Sequence, residues 1–153
     1  MSGEWVAEEL RQLKLADARL TARAKQLIAS FSVQPAQSIP EACENWAATK
    51  AAYRFLENQR VDEGQLWAAH YQATRARTAG HARILAIQDT TELNYTGKAV
   101  AAALGHLANQ HTRGLLLHSV LAVSTAGVPL GLVDQHSWSR ELSTKGKAQQ
   151  RRQ

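Results

Sequence analysis

A single cysteine, Cys43, in 153 residues provides neither an internal disulfide framework nor a cysteine-rich zinc site, and it fits a reducing cytosol. Long apolar runs are missing too. The longest purely apolar stretch, Ala99 to Leu104, is far below the roughly 18 residues needed to span a membrane. The opening MSGEWVAEEL is acidic and has no apolar segment, so no secretory signal is expected. A cytoplasmic protein with no membrane partner is the expectation. No glycine-rich phosphate loop occurs: Gly127 to Gly131 lacks the required lysine, and G-x-G-x-x-G does not appear. Acidic residues are the minority, 13 against 18 Lys and Arg, for a formal charge of +5. That balance suits a polyanion partner.

What is present is globular. Hydrophobic residues at 44% and charged residues at 20% argue against disorder. The first half reads as helices. Val6, Leu10 and Leu13 recur at helical spacing. Asp17 is placed to cap a second helix running toward Phe31, with Leu20, Ala24, Leu27, Ile28 and Phe31 on its apolar side. Ser32 to Gln37, with Pro35, reads as a loop. Ser38 and Glu41 form a capping-box pattern, which predicts a third helix through WAATKAAYRFLEN to about Glu57. Trp46, Thr49, Tyr53 and Leu56 share one of its faces. Asp62 predicts the cap of a fourth helix ending at Gly80.

After Gly80 the pattern changes. Arg83 to Thr90 is a short apolar run that reads as a buried strand. Leu115 to Val123 and Val128 to Val133, separated by the STAG turn at Ser124 to Gly127, read as an antiparallel hairpin. The tail from Lys145 to Gln153 is basic and polar. Helices first and strands after predict an α+β chain of two segregated units.

Several sets of residues could carry chemistry. Arg19, Arg23 and Gln26 recur at i, i+4 and i+7 on a separate side of the second helix. Guanidinium groups so placed can grip phosphates and reach guanine edges, although two arginines on a helix also read as a solvated face. Lys50 and Arg54 add a basic pair on the third helix, flanked by Tyr53 and Phe55, both read as packing residues that position Arg54. Asp89 closes the first strand. A carboxylate there can hold a divalent metal at the lip of a sheet, or simply end a strand in a turn. The nearest acids in sequence, Glu92 and Asp134, have no diagnostic spacing. The six histidines match no H-E-x-x-H or zinc pattern. Trp5, Trp46, Trp67 and Trp138 are too dispersed for a base-stacking run and are assigned to the core.

Taken in order, LADARLTAR, SIPEACENWAATKAAYRFLEN, LAIQDTTELNY and GLLLHSVLAV resemble the N-terminal part of bacterial cut-and-paste transposases of the DDE insertion-sequence-four (transposon-five-like) family. The likeness runs from about Ala16 to Trp138. It implies a helical domain over residues 1–60 that binds transposon inverted-repeat ends as double-stranded DNA. A connecting helix over 61–80 and the first strands of a ribonuclease-H-like core over 81–153 would follow. Asp17, Arg19, Thr21 and Arg23 match the family's first DNA-binding motif, and Lys50, Tyr53, Arg54 and Phe55 fall in its second. Asp89 matches the first catalytic aspartate, one of three carboxylates that hold Mg²⁺ in that family. A proline and a second arginine found near Ala18 and Leu20 in some relatives are missing here. The second aspartate and the glutamate are expected beyond Gln153, so the chain reads as the front of a transposase, inactive alone and nucleoid-associated. Two other readings stay open. One is a DNA-binding regulator that competes with full-length transposase; the other is an unrelated helical interaction protein whose Asp89 is structural.

Overall fold

The computed structural model of the protein describes residues 2–140; the basic tail at 145–153 lies outside the described residues. The chain is α+β and divides at Ala82/Arg83 into two units, a helical one and a three-stranded antiparallel sheet.

Helix α1 (Ser2–Glu9) buries Val6. It is shorter than the periodicity suggests. Leu10 still accepts the helical register, its N–H donating to the Val6 carbonyl at 3.0 Å, but Leu13 and Leu15 enter the core from a turn. Helix α2 (Ala18–Val33) starts where Asp17 caps it, Oδ1 accepting from the Leu20 N–H at 2.9 Å. Ala24 and Leu27 are its buried residues. Thr21 secures the entry: its hydroxyl donates to the Asp17 carbonyl and accepts from the Leu15 N–H.

The predicted third helix is two. Ser38 and Glu41 do join, with both the Ser38 N–H and hydroxyl donating to Glu41 Oε2, but they cap only the single turn α3 (Ile39–Ala42). Asn45 then caps α4 (Trp46–Leu56), accepting from the Ala48 N–H at 2.9 Å. The buried face of α4 also differs from expectation. Of the four residues placed on one face, Thr49 is buried together with Ala52 and Phe55, while Trp46, Tyr53 and Leu56 face solvent. Two small residues and one ring let α4 sit close to the core, and the bulky residues take the outside. Nor do the other tryptophans join the core: Trp5 and Trp67 are exposed and Trp138 is half-buried.

Helix α5 (Glu63–Thr78) begins at Asp62, whose Oδ1 accepts from the Gly64 N–H at 2.8 Å. It adds Ala69 to the same core, with Leu66 packed against it. Glu9 at the end of α1 binds it twice, pairing with Arg77 at 2.5 Å and hydrogen-bonding with His70 Nδ1.

In the second unit β1 (Ile84–Asn94) pairs antiparallel with β2 (Gly114–Ser124), and β2 pairs with β3 (Pro129–Trp138), in the order β1-β2-β3. The hairpin and its turn are as expected; Gly127 takes a φ of +81°, which favours glycine there. The buried-strand expectation fails for β1. It is an edge strand, and Ile84, Leu85 and Ile87 are exposed. The buried apolar positions lie mostly on the central strand β2, at Leu116, Ala122 and Val123, with Leu130 on β3 and Leu107 between β1 and β2. An unbroken apolar run signals burial on both faces only when layers cover both, and here it marks an edge.

Candidate nucleic-acid interface

Helices α2 and α4 border a groove of about 460 Å³ lined by Arg19 and Arg23 from α2, by Lys50 and Arg54 from α4, and by Arg60 from the turn after α4. The two basic pairs read separately in the sequence thus meet in one place. Ala47 and Ala51, also lining the groove, present small side chains between the cations. Five cations against one acid, Asp17, make a positive cleft that attracts anions.

Asp17 is used twice. One carboxylate oxygen caps α2, and the other accepts from Arg60 Nη2 at 3.2 Å. The Leu20 N–H, more than the Arg60 charge, holds its carboxyl below the usual carboxylate range. Arg60 is also fixed through its backbone, its N–H donating to Asn58 Oδ1 at 3.0 Å. Sequence reasoning missed Arg60. It lies in a turn, outside any helical period, and its partner is 43 residues away; the only local signal is the Asn58 turn.

Gln26 and Tyr53 do not line the groove. Gln26 is exposed one turn beyond Arg23 on α2. Tyr53 is 44% exposed on α4, whereas its neighbour Phe55 is only 7% exposed. Of the two rings read as packing around Arg54, only Phe55 packs.

Asp89 lies within β1 rather than at its end, opposite Ser119, which in turn stands opposite Gln135. Directly paired residues share a face of the sheet, and neighbours along a strand alternate. Asp134, next to Gln135, therefore points to the other face, as does Glu92, three residues beyond Asp89. Thr91 returns to the Asp89 face, and its hydroxyl lies 3.5 Å from Asp89 Oδ2. Among the described residues no three His, Cys, Asp or Glu side chains gather to hold a metal ion. One exposed carboxylate and a hydroxyl do not fit a resident Mg²⁺, which keeps most of its water unless several acids displace it.

All the groove residues, from Asp17 to Arg60, fall inside a recognised segment. Residues 2–61 match the family model described as transposase DNA-binding. The match supports a transposase N-terminal region with DNA as its partner. Asp89 and the sheet lie outside the matched residues. Among the described residues no helix is long and apolar enough to cross a membrane.

Proposed function

We propose that the helical unit holds the inverted-repeat end of a transposon for cut-and-paste transposition by a DDE transposase of the insertion-sequence-four family. The observation that carries this reading is the convergence of Arg19, Arg23, Lys50, Arg54 and Arg60 on one groove inside the transposase DNA-binding segment. Guanidinium groups at α2 take phosphates bidentately and can reach base edges, while Lys50 acts as a point charge. The protein acts in the bacterial cytoplasm, at the nucleoid. The sheet belongs to a ribonuclease-H-like core in which Asp89 is the first catalytic acid.

Binding releases counterions in proportion to the phosphates neutralised. Four or five groove contacts give a slope of log affinity against log salt of about −3.6 to −4.5. Fluorescence anisotropy with an end-containing duplex measures it, and Arg23→Ala is expected to flatten the slope by about 0.9. Affinity indifferent to salt and to Arg23→Ala would remove the reading. A second reading, a regulator that occupies ends in competition with full-length transposase, draws support from Asp89 standing on a sheet face without a second acid.

A further inference from the structure

Trp46 sits in the first turn of α4 with 76% of its surface exposed, more than any other large apolar side chain among the described residues. A single exposed apolar residue is ordinary; the decisive feature is its company. Lys50 follows one turn later and Tyr53, also exposed, two turns later, on the same side of the helix. No acid occurs in α4, and the nearest ones, Glu44 and Glu57, lie beyond its two ends. Lys50 and Arg54 line the groove as well, so the aromatic side runs directly into the basic cleft.

Rings interleaved with cations match nucleic acid: bases stack on the rings while phosphates pair with the cations. We propose that the solvent face of α4 is a second nucleic-acid contact, in which the Trp46 ring stacks on an unpaired base beside the phosphates held by Lys50. The inference rests on the DNA-binding reading of the groove and adds to it the form of DNA preferred. Bases inside a duplex hide their faces, so a stacking ring selects an end or an opened step. Trp46 and Tyr53 are seven residues apart, about 10.5 Å along the axis, too far to sandwich one base, so each ring serves a different nucleotide. A second copy of the chain fits poorly, because a two-fold contact through α4 would gather Lys50 and Arg54 of both copies in one interface with no α4 acid to pair them.

The test compares the full chain on a blunt duplex and on the same duplex with an unpaired thymine overhang. The overhang is expected to bind more tightly. Trp46→Ala should abolish that preference and weaken overhang binding by about tenfold, with the salt slope and melting temperature unchanged; Trp46→Phe should restore most of it. Arg23→Ala should instead flatten the salt slope on both duplexes. If Trp46→Ala matches the parent on both duplexes while Arg23→Ala still weakens them, the stacking inference fails and the groove reading stands. A lowered melting temperature in Trp46→Ala would show a packing role and overturn the inference. So would a dimer that dissociates in Trp46→Ala with DNA binding unaltered, which would mark a protein interface.

Discussion

The Arg60 guanidinium donates to Asp17 at 3.2 Å, tying the turn after α4 to the first residue before α2. The bond links the two sides of the groove through a carboxylate whose other oxygen is already committed to the α2 cap. Cap and ion pair can be separated by mutation. Asp17→Ala removes both and is expected to lower stability through loss of the N-cap. Asp17→Asn keeps an oxygen for the Leu20 N–H and loses only the charge. The pair is solvent-exposed, with Arg60 64% accessible, and such pairs contribute little. Urea denaturation should therefore find Asp17→Asn close to the parent and Asp17→Ala clearly weaker. Equal losses would place the stability in the ion pair instead.

Tyr53 and Phe55, two residues apart, should respond in opposite ways. Phe55 belongs to the helical core, so Phe55→Ala is expected to lose about 3–5 kcal/mol of stability. Tyr53 is exposed, and Tyr53→Ala should leave the melting temperature near the parent's while weakening DNA binding by roughly the value of one stacked ring, about 1–3 kcal/mol. Melting curves and anisotropy on the same two variants decide it. A stable, non-binding Phe55→Ala would reverse the assignment.

The legible parts of the fold are those with local causes. The caps at Asp17 and Asp62 and the STAG hairpin follow from side chains bonding their own backbone within a few residues. Face assignment on α4 failed because residue size misled: Trp46 and Leu56 look like core residues, yet Thr49, Ala52 and Phe55 fill the space available. Burial of β1 failed for a related reason, since an apolar run does not reveal whether a layer will cover it. Both halves of the basic groove were readable as helical stripes. Their meeting was not, because it depends on how α2 and α4 pack, and Arg60 carries no periodicity at all.

Acid should loosen the junction of α1 and α5 through Glu9. Burial opposes ionisation of this carboxyl, but hydrogen bonds from Arg77 and His70, with the charge of Arg77, outweigh it and hold the pKa below the ordinary 4.5. A depressed folded-state pKa gives stability that is fully present above the unfolded value and lost as pH falls through the folded value. Unfolding free energy should therefore decline on the acid side of 4.5. Glu9→Gln should lower stability at neutral pH by about 1.5–3 kcal/mol, the range for hydrogen bonds to a charged group, and should flatten the acid decline. Denaturation of both proteins across the acid range checks the sign. A Glu9→Gln variant that declines as steeply as the parent would assign the acid sensitivity to other carboxylates.

Among the described residues Asp89 has no second acid on its face of the sheet, so strand cleavage is not expected of them. Two-metal phosphoryl transfer needs acids that clamp both ions so that attacking and leaving oxygens are stabilised together. Asp89 has Ser119 and Gln135 across its face, and the latter two bond each other, Gln135 Nε2 to Ser119 Oγ at 2.9 Å. Glu92 and Asp134 point the other way; bringing Glu92 round would need a bulge between it and Asp89 on β1, and bringing Asp134 round would need a one-residue register slip that moves a whole strand's side chains to the opposite face. Incubation of the chain with an end-containing duplex and Mg²⁺ or Mn²⁺ is thus expected to give no nicking above background, and Asp89→Ala should leave DNA affinity unaltered. Site-specific nicking that disappears in Asp89→Ala would contradict this. The dependence of that activity on protein concentration would then show whether a second molecule supplies further acids.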